Sequence, residues 1–432
     1  MRLINLKLKQ RLRKRYLTKR AVIGSSLIGN IVEYYDFGIY SVFADTIGKL
    51  FFPNFEEYIQ LMFSFAIFAI GFFMRPLGGV LFGHIGDKFG RKTALTISIV
   101  GMGICTILMG SLPSYSQIGM IAPIMLTVIR MFQGMCIGGE GAGSAIFIIE
   151  HFGEKKIGLI GSIVMASNVM GTLLAILVGI LIERLFGIDD FTWRYGFFIG
   201  GLMGFVGLLM RYKIKETPVF EEMKKGNNIE KFPLKRVLME RWQSILIIAS
   251  FASLATASTY MIRGFFNVYF AEMLELNKET ALHLVSLALM ALVIALPVFG
   301  YIADKFGHKK YIYSAVFIYV LSVTPIFNII IDNAHHDITN VIYGITLLGI
   351  LFASVAAPYY PFAVKFFTPA LRYSGIALGW NVGNALFGGT APLISTFLVM
   401  QLGYIAPAYY LTFVALMFII ISFLNRRFLA NQ

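Results

Sequence analysis

The ten residues Gly83-His84-Ile85-Gly86-Asp87-Lys88-Phe89-Gly90-Arg91-Lys92 return half a chain later as Gly300-Tyr301-Ile302-Ala303-Asp304-Lys305-Phe306-Gly307-His308-Lys309. Each copy closes one long apolar run and precedes another. An internal repeat constrains the whole fold, because both halves must be built on one plan. The repeated unit is a tight, basic, acid-bearing turn between hydrophobic helices. The chain therefore reads as two related helical bundles.

The apolar runs place those bundles in a membrane. Mean hydropathy is +0.74, and only 14% of the 432 residues are charged, where soluble domains carry about 25%. Crossing a bilayer takes about 20 apolar residues. Twelve runs qualify: 21–46, 61–86, 93–112, 118–147, 157–183, 192–211, 243–270, 280–303, 311–331, 338–363, 372–399 and 404–424. They are continuous rather than alternating, which predicts helices and not barrel strands. The expected fold class is an all-α membrane protein, with twelve transmembrane helices in two six-helix pseudo-symmetric bundles. The expected divisions are a basic cytoplasmic tail at 1–20, an N-terminal bundle at 21–211, a cytoplasmic linker at 212–242, a C-terminal bundle at 243–425 and a short tail at 426–432.

Lysine and arginine set the orientation. With the N-terminus inside, only Lys49, Arg184, Arg194 and Lys278 fall on the outer face, while Arg75, Arg130 and Arg263 fall within spans. The remainder lie inside, from Arg2 to Arg20 through Lys155, Lys156 and the linker to Arg426 and Arg427. The positive-inside rule then predicts both termini in the cytoplasm. The net charge of +14 is thus topological. A nucleic-acid partner is not expected, since the charge is spread over one membrane face; the basic tail suits anionic lipid. It is too long and too charged for a cleavable signal. Cys105 and Cys136 both lie in spans, so neither a disulfide framework nor a metal site is expected. The chain holds no G-x-x-x-x-G-K-[ST] phosphate loop, so ATP-driven export is not expected. Little chain follows Arg427, and no C-terminal soluble domain is expected.

The paired turns, Gly29-Asn30-Ile31-Val32-Glu33-Tyr34-Tyr35-Asp36-Phe37, Arg75-Pro76-Leu77-Gly78, Arg130-Met131-Phe132-Gln133-Gly134 with Gly138-Gly139-Glu140, Glu216-Thr217-Pro218 and Gly388-Gly389-Thr390-Ala391-Pro392 together resemble the major facilitator superfamily. They are most similar to its metabolite:proton symporter branch, which includes proline/betaine, dicarboxylate, citrate and shikimate carriers. The resemblance covers nearly the whole chain. It implies a bacterial inner-membrane carrier, functional as a monomer, with no cofactor beyond the proton motive force. The implied activity is proton-coupled symport by alternating access. The leading substrate is a proline/betaine-type osmolyte, and a dicarboxylate or other organic acid is the alternative. This chain departs from the branch at Tyr34-Tyr35, where Trp-Tyr or Trp-Phe is frequent, and at His308, where Arg is common. Arg263 in span seven, where a neutral residue is usual, is the third departure.

Ionisable residues inside spans are costly to bury, which makes them functional candidates. Glu33 and Asp36, three positions apart, share a helix face near mid-membrane. Arg130 lies at comparable depth in span four. The expectation is that Arg130 faces both acids across a central cavity. One carboxylate would take a proton while Arg130 senses its charge or holds a substrate carboxylate; a static ion pair is the alternative. Glu140 and Arg75 are expected to pair nearer the cytoplasm, as a gate or as a permanent bridge. Arg263 either binds a substrate carboxylate, whose geometry suits guanidinium, or snorkels to the outer interface. Tyr34, Tyr35, Tyr260, Tyr359 and Tyr360 either line an aromatic pocket for a quaternary ammonium or pack between helices. Asn381 and Asn384 are polar candidates in span eleven. In the turns, Asp87 and Asp304 are expected to meet helix N-termini, with Arg91, Lys92 and Lys309 beside them as gating residues.

Two other classes remain open at this stage. A passive facilitator would share the fold without titrating acids. A membrane enzyme would need a nucleophile–base or metal constellation, which the six histidines do not provide.

Overall fold

The computed structural model describes residues 2–153, 156–187 and 189–430, with side chains from residue 21 to 429. The expected placement of the basic side chains from Arg2 to Arg20, of Lys155, and of positions 431–432 falls outside the described residues.

Twelve long helices follow in order: α1 (Arg2–Val42), α2 (Glu57–Lys88), α3 (Arg91–Ser111), α4 (Ile121–Phe152), α5 (Ile157–Phe186), α6 (Trp193–Tyr212), α7 (Trp242–Met273), α8 (Lys278–Phe306), α9 (His308–Asn333), α10 (Ile338–Val364), α11 (Arg372–Leu402) and α12 (Ala406–Leu424). Among the described residues, α2 to α12 are each long and apolar enough to cross a membrane. Asn30, Glu33 and Asp36 lower the hydropathy of α1, and all three are buried. Exposed Phe73, Leu81, Leu202, Phe205, Ile294, Phe317 and Leu393 give the bundle an apolar outer surface, as contact with lipid requires.

The packing repeats between halves. α2 packs on α4 as α8 packs on α10, and α1 packs on α5 as α7 packs on α11. α3 against α6 corresponds to α9 against α12. Two seams join the bundles, α2 with α11 and α5 with α8, and these are again counterparts. Small residues let the backbones close: a Cβ on Gly83 would lie 2.7 Å from Ser374 Cα, and one on its repeat partner Gly300 would lie 2.5 Å from the Gly158 carbonyl oxygen. Both turns end on a glycine with positive φ, 111° at Gly90 and 87° at Gly307, a conformation costly for any residue with a Cβ.

Local departures from regular helix sit in α7 and α11. α7 widens into π-turns at Met261–Phe265 and Tyr269–Met273, and α11 does so at Asn384–Gly388. Span one ends earlier than expected, at Val42, and Ala44–Phe51 forms a separate short helix. The linker carries two short helices, Pro218–Lys225 and Pro233–Glu240. The first starts on Thr217, whose side chain accepts from the Phe220 N–H, with proline at the first turn.

The seams generate a prediction. Gly300→Val would place side-chain carbon against Ser162 Oγ, 2.1 Å from the built Cβ, so α5 and α8 must part. Spin labels on these two helices should report a longer separation than in the unsubstituted protein, with transport reduced.

Candidate functional site

The buried charges fall into three groups along the bundle axis. The first joins the halves at the repeated turns. Asp87 Oδ1 accepts from the Tyr373 N–H (3.1 Å) and Oδ2 from the Ser374 N–H (2.9 Å), at the start of α11. Asp304 repeats the contact on the other side: Oδ1 accepts from Gly158 N–H (2.7 Å) and Oδ2 from Leu159 N–H (2.9 Å), at the start of α5. Each carboxylate meets unpaired N–H groups at a helix N-terminus, where negative charge is favoured. Each also meets a basic side chain one turn on, the Arg91 guanidinium with Nη1 at 3.3 Å from Asp87 and the His308 ring with Nε2 at 3.1 Å from Asp304.

The two copies differ beyond that point. Arg91 continues to Glu150, with Nε to Oε2 at 3.1 Å, and to the Pro369 carbonyl across the seam at 2.5 Å. Glu150 also takes Arg372 Nη1 (3.2 Å) and the Thr217 hydroxyl (2.7 Å). Lys92 does not cross the seam. Its N–H donates to Glu216 (3.0 Å) and its Nζ to the Tyr212 carbonyl (3.2 Å), fastening the linker. Burial pushes the Glu216 carboxyl above its ordinary range, against the lowering effect of those N–H donors. Lys309 likewise stays within its own half, donating to the Leu429 carbonyl at 2.7 Å. The expected gating set is thus divided: Asp87, Asp304 and Arg91 bridge the halves, whereas Lys92 and Lys309 hold peripheral chain.

The second group corrects an expected pair. Glu140 is joined to Arg211 and not to Arg75: Arg211 Nη1 donates to Oε2 at 2.9 Å, and Nη2 makes a second bond to Oε1. Ser144 and Ser98 add hydroxyl donors, and Arg211 also reaches the Leu95 carbonyl. Both partners are buried. Arg211 was assigned by its sequence to the interfacial basic linker, because it sits at the end of an apolar run. Only the matching depth of Glu140 on α4 could have signalled otherwise.

The third group lies near mid-bundle, and it corrects a second pair. Glu33 and Asp36 point to different neighbours. Asp36 turns into the N-terminal bundle, where Oδ2 accepts from Thr106 Oγ1 and from Gln133 Nε2 (3.1 Å). Gln133 Oε1 in turn accepts from Arg130. Arg130 therefore reaches Asp36 through an amide rather than across a cavity. Its guanidinium lies over Phe37, Tyr40 and Phe68, with centroids at 4.2, 4.5 and 5.3 Å. Arg75 is held by aromatic faces too, 4.4 Å from both Phe37 and Phe72.

Glu33 points instead toward the join between bundles. A Cβ on Gly141 would lie 3.4 Å from Tyr360 Oη, 3.7 Å from Trp380 Nε1 and 3.9 Å from Glu33 Oε2. Glu33 is 2% exposed, and neither its Oε2 nor Tyr360 Oη has a protein hydrogen-bond partner. Arg75 and Arg263 are the cations within electrostatic reach, with Arg211 farther in effect. Beside this cluster lies a narrow cavity of about 20 Å³ between the halves, room for about one water molecule in this closed arrangement. Tyr34 and Asn168 line it from one bundle; Thr256, Tyr260, Arg263 and Trp380 line it from the other. Arg263 is thus a cavity residue, as are Tyr34 and Tyr260. Trp380, Asn168 and Thr256 are lining residues that sequence reasoning missed.

The two asparagines separate. Asn381 Nδ2 donates to the Gly138 and Ala377 carbonyls, both at 2.7 Å, which makes it a clasp between α4 and α11. Asn384 is buried with both amide atoms unpartnered, and it opens the π-turn of α11. Tyr35 leaves the site, its hydroxyl donating to the Gly196 carbonyl at 2.8 Å. Among the described residues no group of acids, histidines and cysteines is arranged to hold a metal ion.

Comparison with known proteins agrees with this architecture. Residues 26–323 and 252–430 match the family described as the Major Facilitator Superfamily. The chain is 32% identical over 413 residues to the proline/betaine transporter of Escherichia coli K12, covering 92% of this chain and 81% of that protein. It is 34% identical over 419 residues to the putative proline/betaine transporter of Staphylococcus aureus MSSA476, covering 94% and 88%. Among solved structures, a proton:xylose symporter bound to 6-bromo-6-deoxy-D-glucose aligns with a TM-score of 0.70 at 15% identity, over 96% of both chains. The human organic anion transporter MFSD10 aligns at 0.65 and 14% identity, over 93% of this chain and 99% of that one. At such identities the structural likeness speaks for the fold alone.

The Glu140–Arg211 pairing is testable. Removing one partner leaves a buried charge uncompensated, at a cost of about 3–5 kcal/mol. Arg211→Met should lower the melting temperature of the purified protein sharply. Adding Glu140→Gln should recover much of that loss, whereas adding Arg75→Met instead should recover none.

Proposed function

The chain belongs to the major facilitator superfamily, and from that premise we propose that it is a proton-coupled symporter of a small carboxylate-bearing metabolite. It is a membrane-spanning secondary transporter and not an enzyme. The observation that carries the coupling is Glu33, a buried carboxylate with an unpartnered oxygen, next in sequence to the cavity-lining Tyr34. A charge so placed is expensive unless it can be neutralised in the working cycle. Loading a proton on Glu33 removes the charge, and substrate arrival at the neighbouring guanidiniums changes the field in which that proton is held. Proton and substrate thereby affect each other's binding, and the effect must be reciprocal.

Alternating access follows from the seams. The Asp87 and Asp304 contacts close the bundle at the repeated turns, and their release would let the halves rock about the cavity. By the positive-inside rule the closed end is cytoplasmic, in a bacterial plasma membrane, with both termini on that side. The substrate class contains proline and betaine, the compounds in the relatives' names, as well as organic acids. The carrier works as a monomer in this reading.

Two experiments test the reading. In proteoliposomes, Glu33→Gln should abolish accumulation driven by a proton gradient while leaving substrate counterflow largely intact. Full gradient-driven accumulation in this variant would remove Glu33 from the coupling. Asp87→Asn should slow exchange between inward- and outward-open states several-fold with substrate affinity little changed. Collapse of affinity with normal exchange would overturn the gate.

A further inference from the structure

Resting on the transport reading above, we infer that Arg263 seats the substrate's carboxylate and selects net anions over zwitterions of the same shape. The first ground is position. Arg263 lies in the π-turn Met261–Phe265 of α7 and lines the central cavity. Such turns are single widened loops of helix, frequent at functional sites because they re-aim a side chain. Its Nε has no protein hydrogen-bond partner, which leaves a donor beside the cavity; the hydroxyl of neighbouring Tyr260 is directed at Arg75.

The second ground is what Arg263 covers. Its Cζ lies 4.7 Å from the centroid of Tyr34 and 5.6 Å from that of Tyr260. A quaternary ammonium would need these same ring faces for cation–π attraction. The protein's own cation already occupies them. Of the other candidate rings, Tyr35 is turned toward α6 and Tyr359 and Tyr360 pack on Trp380, at 4.6 and 5.6 Å, which leaves Trp380 as the cavity ring that Arg263 does not cover.

The third ground is charge. The ions that act on Glu33 are Arg75, Arg263, Arg211 and Glu140. Glu140 and Arg211 neutralise each other in their own pair. Arg75 and Arg263 both act on Glu33 through space, without an ion pair to it among the described residues. With Glu33 ionised, the balance beside the cavity is one positive charge in excess, where low polarity strengthens electrostatic interactions. A net monoanion completes the balance. A zwitterion brings an ammonium that must sit close to a guanidinium, and it cancels most of its own benefit. The same arithmetic bears on coupling. Only a net anion removes positive potential from Glu33, so only an anion binds with appreciable cooperativity with the proton.

Isosteric probes separate these possibilities. Glycine betaine and 3,3-dimethylbutyrate differ by one atom, a cationic nitrogen replaced by carbon; proline and cyclopentanecarboxylate form a second pair. Calorimetric binding to the purified protein should favour the anion of each pair by tenfold or more. Arg263→Ala should weaken anion binding at least tenfold and, by freeing the faces of Tyr34 and Tyr260, strengthen betaine binding, so the preference reverses. Arg263→Gln, which keeps the bulk of the side chain, should show the loss of anion binding if the alanine variant fails to fold. A wild-type preference for betaine and proline overturns the assignment, as does an unchanged ratio in both variants. Uptake distinguishes this from failure of the transport reading. Binding in the expected order with no proton-driven accumulation would sink the symport reading alone. Accumulation of betaine and its isostere without preference would sink the Arg263 assignment alone. Absence of binding by all four probes would overturn both.

Discussion

Two carboxylates hold this molecule in its closed arrangement, and each belongs to one bundle while capping a helix of the other. Asp87 and Asp304 satisfy backbone N–H groups at the starts of α11 and α5, donors that would otherwise be orphaned away from water. The contact is therefore more than charge attraction. It completes the hydrogen bonding of a helix end, and the helix dipole adds to it. The close approach at Gly83 and Gly300 serves the same joint, since bulkier residues would keep the caps from reaching their helices.

The mid-bundle charges obey a different rule. Buried guanidiniums are held by aromatic faces where carboxylates are scarce: Arg130 by Phe37, Tyr40 and Phe68, Arg75 by Phe37 and Phe72. Phe37 serves both and so binds the two arginines into one cluster. Asp36 is satisfied by Thr106 and Gln133 within its own bundle. Glu33 is left as the acid at the inter-bundle join. Of two carboxylates one helical turn apart, one is structural furniture of the N-terminal half and the other faces the moving parts.

The duplicated turns, the helix count and the location of the inter-bundle contacts were legible in the sequence because they rest on period and repetition, which survive without knowledge of partners. For Tyr34, Tyr260 and Arg263 the sequence offers a cavity position as one of two readings, and the structure places all three in the cavity wall. Pairing was not. Glu140 was matched to Arg75 by depth along the axis, but depth leaves the angle around the helix open, and Arg211 on α6 lies on the facing side. Arg130 was matched directly to the acids for the same reason, and the intervening Gln133 reads in sequence as an ordinary polar residue. Glu150 was passed over because it closes an apolar span at an interface, where a lone acid carries no signal until Arg91, Thr217 and Arg372 converge on it.

The polarity of α1 has a consequence for biogenesis. Asn30, Glu33 and Asp36 lie in its C-terminal half and make it less apolar than the other long helices among the described residues. Synthesis delivers it before α5 and α6, the helices that bury it. Independent insertion followed by assembly, the usual order for membrane helices, is then a poor route for this segment. The three polar side chains of the first span therefore reach their buried surroundings only once these later helices are in place.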